Sequence, residues 1–202
     1  MIIPSFKFEL PFWEKGFNNV IGLDEVGRGA FAGPLVAAAV ILPTNFKANG
    51  IIDSKLLSAQ KREELSKYII ENAINYYVSE ISVEYINEHG IGKANNTAFL
   101  DCINNFINID HILVDGFKIK DFEDNKQTAI VHGDSISVSI AAASIIAKVY
   151  RDNLMVNFHN KYPEYNFLEN KGYGTKLHRE AIRKQGLSKI HRTSFKLEKY
   201  FQ

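Results

Sequence analysis

Cysteine is nearly absent from this 202-residue chain: Cys102 stands alone, so no internal disulfide and no thiolate zinc cluster can form. Long apolar runs are absent too, and none approaches the ~20 residues that a membrane helix needs. The N-terminus, MIIPSFKFELPFWEKGF, lacks a basic start and a small-residue cleavage site, so no signal peptide is expected and a cytoplasmic location is. The six histidines show no H-x-x-x-H spacing. There is no G-x-S-x-G and no G-x-x-x-x-G-K-[ST]; Gly172 to Lys176 is only a partial echo of the second. These gaps remove serine hydrolases, P-loop nucleotidases and histidine-based zinc enzymes. No repeat or low-complexity linker is visible, so no hard boundary falls before about residue 160.

The hydrophobic share of 46% is ample for a core and argues against disorder. A net charge of +1 hides an asymmetry. Residues 1–130 carry 12 Lys/Arg against 17 Asp/Glu, whereas residues 131–202 carry 12 against 6. A basic rear facing an acidic front suits a polyanion held against a metal-binding carboxylate cluster, although two ordinary solvated faces would look the same.

The chain is organised around Asn19 to Pro43, NVIGLDEVGRGAFAGPLVAAAVILP. Val20 to Leu23 reads as a buried strand, and two acids follow at once, Asp24 and Glu25. Gly27-Arg28-Gly29 then offers a backbone able to adopt φ > 0 and to approach a ligand closely. Gly27-x-Gly29-x-x-Ala32 fits the dinucleotide-binding pattern formally, but Gly33-Pro34 sits where that fold needs a helix. Leu35 to Leu42, bounded by prolines, reads as a return strand. Alternation puts Asp24 and Glu25 on opposite faces, so a strand end or bulge at Glu25 is expected if both serve one site.

Farther on, Ser58 caps a helix carrying Leu65, Ile69 and Ala73. Tyr76 to Ile81 reads as a strand, and Ala94, Ala98, Cys102 and Phe106 mark a helix over Ile91–Phe106, which makes Cys102 packing. His111 to Asp115 repeats the opening logic, an apolar strand ending on an acid and a glycine. Thr128 to Val131 is another short strand. His132-Gly133-Asp134-Ser135 turns into a long helix with Ile136, Ile140, Ala143, Ala147, Tyr150 and Leu154 at helical spacing, ended by Tyr162-Pro163. The order predicts an α/β fold with a mixed sheet flanked by helices. A small, basic, helical C-terminal segment follows.

Four acids stand apart by position: Asp24, Glu25, Asp115 and Asp134. Asp134 could be an N-cap and Asp115 a turn acid. Together they form an oxygen-only donor set, which points to Mg²⁺ or Mn²⁺. Two such ions suit in-line phosphoryl displacement, which needs no histidine base.

LDEVGRGxxxGPLVAAAVIL, LVDG, GDS, SIAAASIIAKVYRD, KGYGT and His191-Arg-Thr-Ser-Phe195 together resemble the signature of bacterial ribonuclease HII, the type 2 ribonuclease H, over most of the chain. The resemblance implies a ribonuclease H-like catalytic domain over residues 1–162, with residues 163–202 completing the substrate site. It implies a metal-dependent endoribonuclease acting on RNA–DNA hybrids and on DNA duplexes with an embedded ribonucleotide, with Asp24, Glu25, Asp115 and Asp134 as catalytic metal ligands. Gly27, Arg28 and Gly29 would read the 2′-hydroxyl through their backbone, Arg28 and Lys55 would contact phosphates, and Tyr173 would pack on the sugar at the junction. His132 and Leu56 stand where the family usually has lysines. A monomer is expected. Ser194-x-x-Leu197-x-x-Tyr200-Phe201 resembles a sliding-clamp tail, or else is a helix end packing on the body. The rivals are another metal-dependent nuclease or recombinase on the same fold, disfavoured by Gly27-Arg28-Gly29 with Tyr173, and a non-catalytic hybrid binder, disfavoured by the four acids.

Overall fold

Five strands form one mixed sheet in a computed structural model that describes residues 3–200. They are β1 (Val20–Val26), β2 (Leu35–Ile41), β3 (Asn75–Ile81), β4 (His111–Asp115) and β5 (Gln127–Ile130), in the order β3-β2-β1-β4-β5. β1 is antiparallel to β2, and β2 to β3, while β1–β4 and β4–β5 are parallel. β2 is buried along its whole length, as a central strand made only of Leu, Val, Ala and Ile must be.

Helices cover both faces. α1 (Leu10–Trp13) lies near the N-terminus, and α2 (Ala59–Asn72) begins at Ser58, whose side chain accepts from the Lys61 amide. α3 (Val83–His89) and α4 (Ile91–Asn104) turn at Gly90, whose φ of 78° suits glycine. α3 has no counterpart in the sequence reading, because two turns with only Val83 and Ile86 buried carry too little periodicity. α4 places Ala94, Ala98, Phe99 and Cys102 against Ile21, Leu23, Ala37 and Val114. Burial raises the Cys102 thiol to about 12, so it is an inert packing group.

The opposite face receives α2 and α5 (Val138–Lys161). Every residue of α5 from Val138 to Ala147 is buried, so its first half is a central helix rather than an amphipathic one. Ser137 caps it, and the buried Glu9 carboxylate accepts from Ser137 Oγ at 2.7 Å and from the Ser139 amide at 2.9 Å. That negative charge sits favourably at a helix start. Beyond α5 the short α6 (Phe167–Asn170) and α7 (Lys176–Gln185) gather Tyr165, Phe167 and Ile182 around Met155 and Ala32. Among the described residues no helix is long and apolar enough to cross a membrane.

The backbone of α5 presses on β1 at Gly22, where a Cβ would lie 2.2 Å from the Ser139 carbonyl carbon. Backbone blocks the space on the helix side, so a methyl can enter only by pushing α5 off β1. Gly22→Ala is expected to lower stability by about 2 kcal/mol or more, read from urea midpoints. A change within about 0.5 kcal/mol of zero, the range of ordinary surface substitutions, would contradict this packing.

Candidate active site

The parallel ladder between β1 and β4 ends at Leu23↔Val114, whereas the ladder between β1 and β2 continues to Val26↔Val36. No bulge or strand end occurs at Glu25, which corrects the expectation from alternation. The two acids do point to opposite faces. Asp24 shares the α5 side with Gly22 and interacts with Ser144, while Glu25 shares the α4 side with Leu23 and interacts with Asn95. Both still serve one region, because the sheet edge beyond Leu23 opens towards Asp115.

Asp115 accepts from the Gly133 amide at 2.6 Å and so holds the turn that carries Asp134. Gly133 packs closely there: a Cβ would meet the end of the Ile140 side chain at 2.5 Å. The cap of α5 is Ser137, so the N-cap role considered for Asp134 does not apply. Asp134 is buried in a short 3₁₀ turn and faces Lys55, whose Nζ lies 2.8 Å from Oδ2.

Burial raises Asp24 well above the ordinary carboxylate range, helped by repulsion from Glu25 and Asp115 and opposed by Ser144. Burial also raises Glu25, with Arg28 pulling back and Asp115 pushing the same way. Asp115 is raised by burial and by Asp134, against the Gly133 and Asp134 amides. For Lys55, burial opposes the charge, but the hydrogen bond and attraction from Asp134 outweigh it and raise its pKa. Buried carboxylates that repel one another, with hydroxyls and amides for support and no thiol or imidazole among them, are a hard-oxygen site short of positive charge.

Among the described residues, no three His, Cys, Asp or Glu side chains converge tightly enough to hold an ion by themselves. That fits Mg²⁺-type ions, which take one or two carboxylates and complete their shell with water and substrate phosphate rather than an all-protein cage.

The glycine-rich loop between β1 and β2 is built by two buried arginines. Arg151 of α5 donates to the carbonyls of Pro34 (2.9 Å), Lys171 (2.8 Å) and Ala32 (3.0 Å). Arg192 donates to Gly33 through Nε (3.0 Å) and Nη2 (2.8 Å), and to Arg28 through Nη1 (3.0 Å). Burial lowers both, Arg192 to about 9, which leaves it cationic at neutral pH. Gly27 adopts φ 88° against the Arg151 guanidinium, where any Cβ would clash at 2.2 Å. Gly29 has open space where a Cβ would be. Arg28 lies 3.6 Å from Glu25 and over the exposed Phe117 ring at 5.6 Å.

Tyr173 is tied to the same loop. The amides of Phe31 and Ala32 donate to the Gly172 carbonyl, and Gly172 at φ 83° would meet the Ala32 oxygen at 2.3 Å if it had a Cβ. The Tyr173 ring lies 5.4 Å from Arg151 and 6.0 Å from Lys148. The structure thus gathers Asp24, Glu25, Asp115, Asp134 and Lys55 at one sheet end, beside the loop with Gly27, Arg28 and Gly29, which is bonded to the Tyr173 segment. Leu56 and His132 are exposed.

Several residues of this region carry no sequence signal. Ser54, just before Lys55, is buried and bonds Ser144 at 3.1 Å, behind Asp24. A cleft of about 360 Å³ beside Glu25 and Asp115 is lined by Arg28, Asn95, Phe117, Lys118 and Lys120. In the tail, Leu197 is buried and Tyr200 packs 5.1 Å from Phe31, while Phe201 lies outside the described residues.

Residues 21–198 match the family model for ribonuclease HII. The ribonuclease HII of Syntrophus aciditrophicus is 47% identical over 192 residues, 95% of this chain and 90% of that protein. The ribonuclease HII of Acholeplasma laidlawii is 45% identical over 196 residues, 96% of each. Among solved structures, the ribonuclease H2 from Pyrococcus horikoshii OT3 superposes with a TM-score of 0.73 at 26% identity, over 91% of this chain and 99% of that one. Family model, relatives and fold agree with the motifs set around the acids: the chain belongs to the ribonuclease HII family of nucleases.

Proposed function

We propose that this nuclease hydrolyses the RNA strand of RNA–DNA hybrids and also cuts on the 5′ side of single ribonucleotides embedded in duplex DNA. Water adds to phosphorus, the P–O3′ bond breaks, and the products carry a 3′-hydroxyl and a 5′-phosphate. The observation that carries this reading is the placement of crowded, under-neutralised carboxylates beside a glycine-rich loop whose backbone is bonded to Gly172, next to Tyr173.

Asp24, Glu25, Asp115 and Asp134 would hold two Mg²⁺ or Mn²⁺ ions. Bound there, the ions would supply Lewis-acid activation of water and charge neutralisation for an in-line displacement. Ser144, backed by Ser54, orients Asp24, and the Gly133 amide orients Asp115. Gly27, Arg28 and Gly29 would read the 2′-hydroxyl from the open side of the loop, the group that separates RNA from DNA. The Lys55 side chain is 73% exposed, so it can leave Asp134 for a substrate phosphate. Tyr173 would pack on the sugar at the junction. In this reading residues 1–162 carry the chemistry and residues 163–202 complete the substrate surface. Clamp docking through the tail would require Leu197 to leave its buried seat.

Cleavage of a DNA duplex with one ribonucleotide tests the reading. Wild type with Mg²⁺ or Mn²⁺ should cut 5′ to the ribonucleotide and Asp24→Asn should lose at least 100-fold, or about 2.7 kcal/mol in barrier. No cut on this duplex, with uniform hybrid still cleaved, would remove the embedded-ribonucleotide activity. Tyr173→Ala should slow the junction substrate far more than uniform hybrid; equal losses on both would remove the sensing role.

A readout without turnover comes from Asp24. Its pKa is raised in the fold, so the ionised form is the costly one, and the stability tied to it is lost as pH rises through the raised value. Asp24→Asn should therefore stabilise the protein in chelator at pH 7, with the gain shrinking as acid neutralises the wild type. The same variant should lose thermal stabilisation by Mg²⁺ or Mn²⁺. Undiminished metal stabilisation in Asp24→Asn would place the ions elsewhere.

A further inference from the structure

Two buried histidines, His178 and His191, belong to none of the roles assigned above. Their Nε2 atoms lie 3.0 Å apart, His178 Nδ1 is 2.9 Å from the Tyr173 carbonyl oxygen, and His191 Nδ1 is 2.9 Å from the Ser188 amide. The partners dictate the protons. A carbonyl oxygen can only accept, so His178 carries its proton on Nδ1. A backbone amide can only donate, so His191 Nδ1 is bare, and Ser188 Oγ at 2.8 Å can donate to it as well. Neutral His191 then has its proton on Nε2 and gives it to the bare Nε2 of His178.

We infer that His178 is a positioning residue for Tyr173, at the end of a one-way hydrogen-bond chain running Ser188 to His191 to His178 to the Tyr173 carbonyl. Each bond fixes the direction of the next, so the chain has one arrangement rather than two.

The surroundings keep it intact. The Tyr165, Phe167 and Phe31 rings pack around the imidazoles, with Tyr165 4.8 Å from His191 and Phe167 5.4 Å from His178. Of these facing groups only the Tyr165 phenol titrates, and burial raises it further. Burial lowers both imidazoles, His191 to about 4 with repulsion from His178 adding to it, so both are neutral near pH 7.

Tyr173 is thereby held at ring and backbone. Arg151 backs the ring, the Tyr173 amide donates to the Asn170 carbonyl, and His178 adds a side-chain donor to the Tyr173 carbonyl, which also accepts from the Thr175 amide at 2.8 Å. A sugar-packing ring discriminates a junction only if its plane is fixed before substrate arrives. The inference rests on the junction-sensing reading of Tyr173.

The test compares His178→Asn with His178→Phe in the rate ratio of embedded-ribonucleotide duplex to uniform hybrid. The asparagine amide can donate where Nδ1 does, whereas phenylalanine fills the aromatic cage but donates nothing. Positioning through the hydrogen bond predicts that Asn keeps the ratio within about threefold (0.7 kcal/mol) and that Phe lowers it about tenfold (1.4 kcal/mol). A packing role predicts the reverse order, and that order, or equal ratios, would overturn the inference. Nitrogen-resolved NMR of the unliganded wild type should show Nδ1–H on His178 and Nε2–H on His191 near pH 7; the opposite tautomers would also overturn it, whether or not the variants fold. Tyr173→Ala run alongside separates the failures. If it leaves the ratio unchanged, junction sensing itself is lost and the inference falls with it; if it lowers the ratio while His178→Phe does not, only the positioning role is lost.

Discussion

Two buried guanidinium groups bonded to backbone carbonyls are the constraint on which this structure turns. A buried cation needs replacement for its water, and Arg151 and Arg192 find it in backbone carbonyls. Five-donor planar groups suit this, because each can gather carbonyls from different segments at fixed angles. The segments gathered are the loop from Arg28 to Pro34 and the turn at Lys171. The carbonyls of Arg28, Ala32, Gly33 and Pro34 are therefore fixed by donors from outside the loop. Its shape follows from α5, which supplies Arg151, and from the C-terminal segment, which supplies Arg192.

The acids follow the opposite logic. Asp24, Glu25 and Asp115 are held together by strand geometry although burial and mutual repulsion favour their neutral forms. Stability is given up locally for a concentration of negative charge, and the surrounding core supplies the surplus that permits it. Lys55 and Arg28 offset part of the repulsion from the rim, Lys55 on Asp134 and Arg28 on Glu25. Neither is as deeply placed as the acids. The cations that shape the loop and the anions at the sheet end are thus kept on separate supports, joined through the short span from Val26 to Gly29.

Much of this was legible in the residues. Apolar runs that end on Asp24 and Asp115, with glycines beyond, mark strand ends where a carboxylate has a reason to be. The all-apolar β2 and the helix from Ile91 follow from composition and spacing. Arg151 and Arg192 were not legible, because an arginine in a polar stretch reads as solvated surface and nothing local shows which carbonyls it will meet. The same holds for Lys55 and Asp134, which are 79 residues apart. Alternation correctly separated Asp24 and Glu25 onto two faces, but the bulge expected from it did not occur. Two ladders that stop at different residues did the same work, and that is a property of pairing between strands rather than of either strand.

The chain separation within the loop's support has a consequence for the order of synthesis. Residues 28–34 leave the ribosome well before Arg151, and Arg192 emerges later still. Until then the loop lacks the donors that hold Gly33 and Arg28, although β1, β2 and the strand-end acids are already made. The segments that carry Asp24, Glu25, Asp115 and Asp134 are therefore synthesised before the neighbouring loop gains the donors that hold its shape.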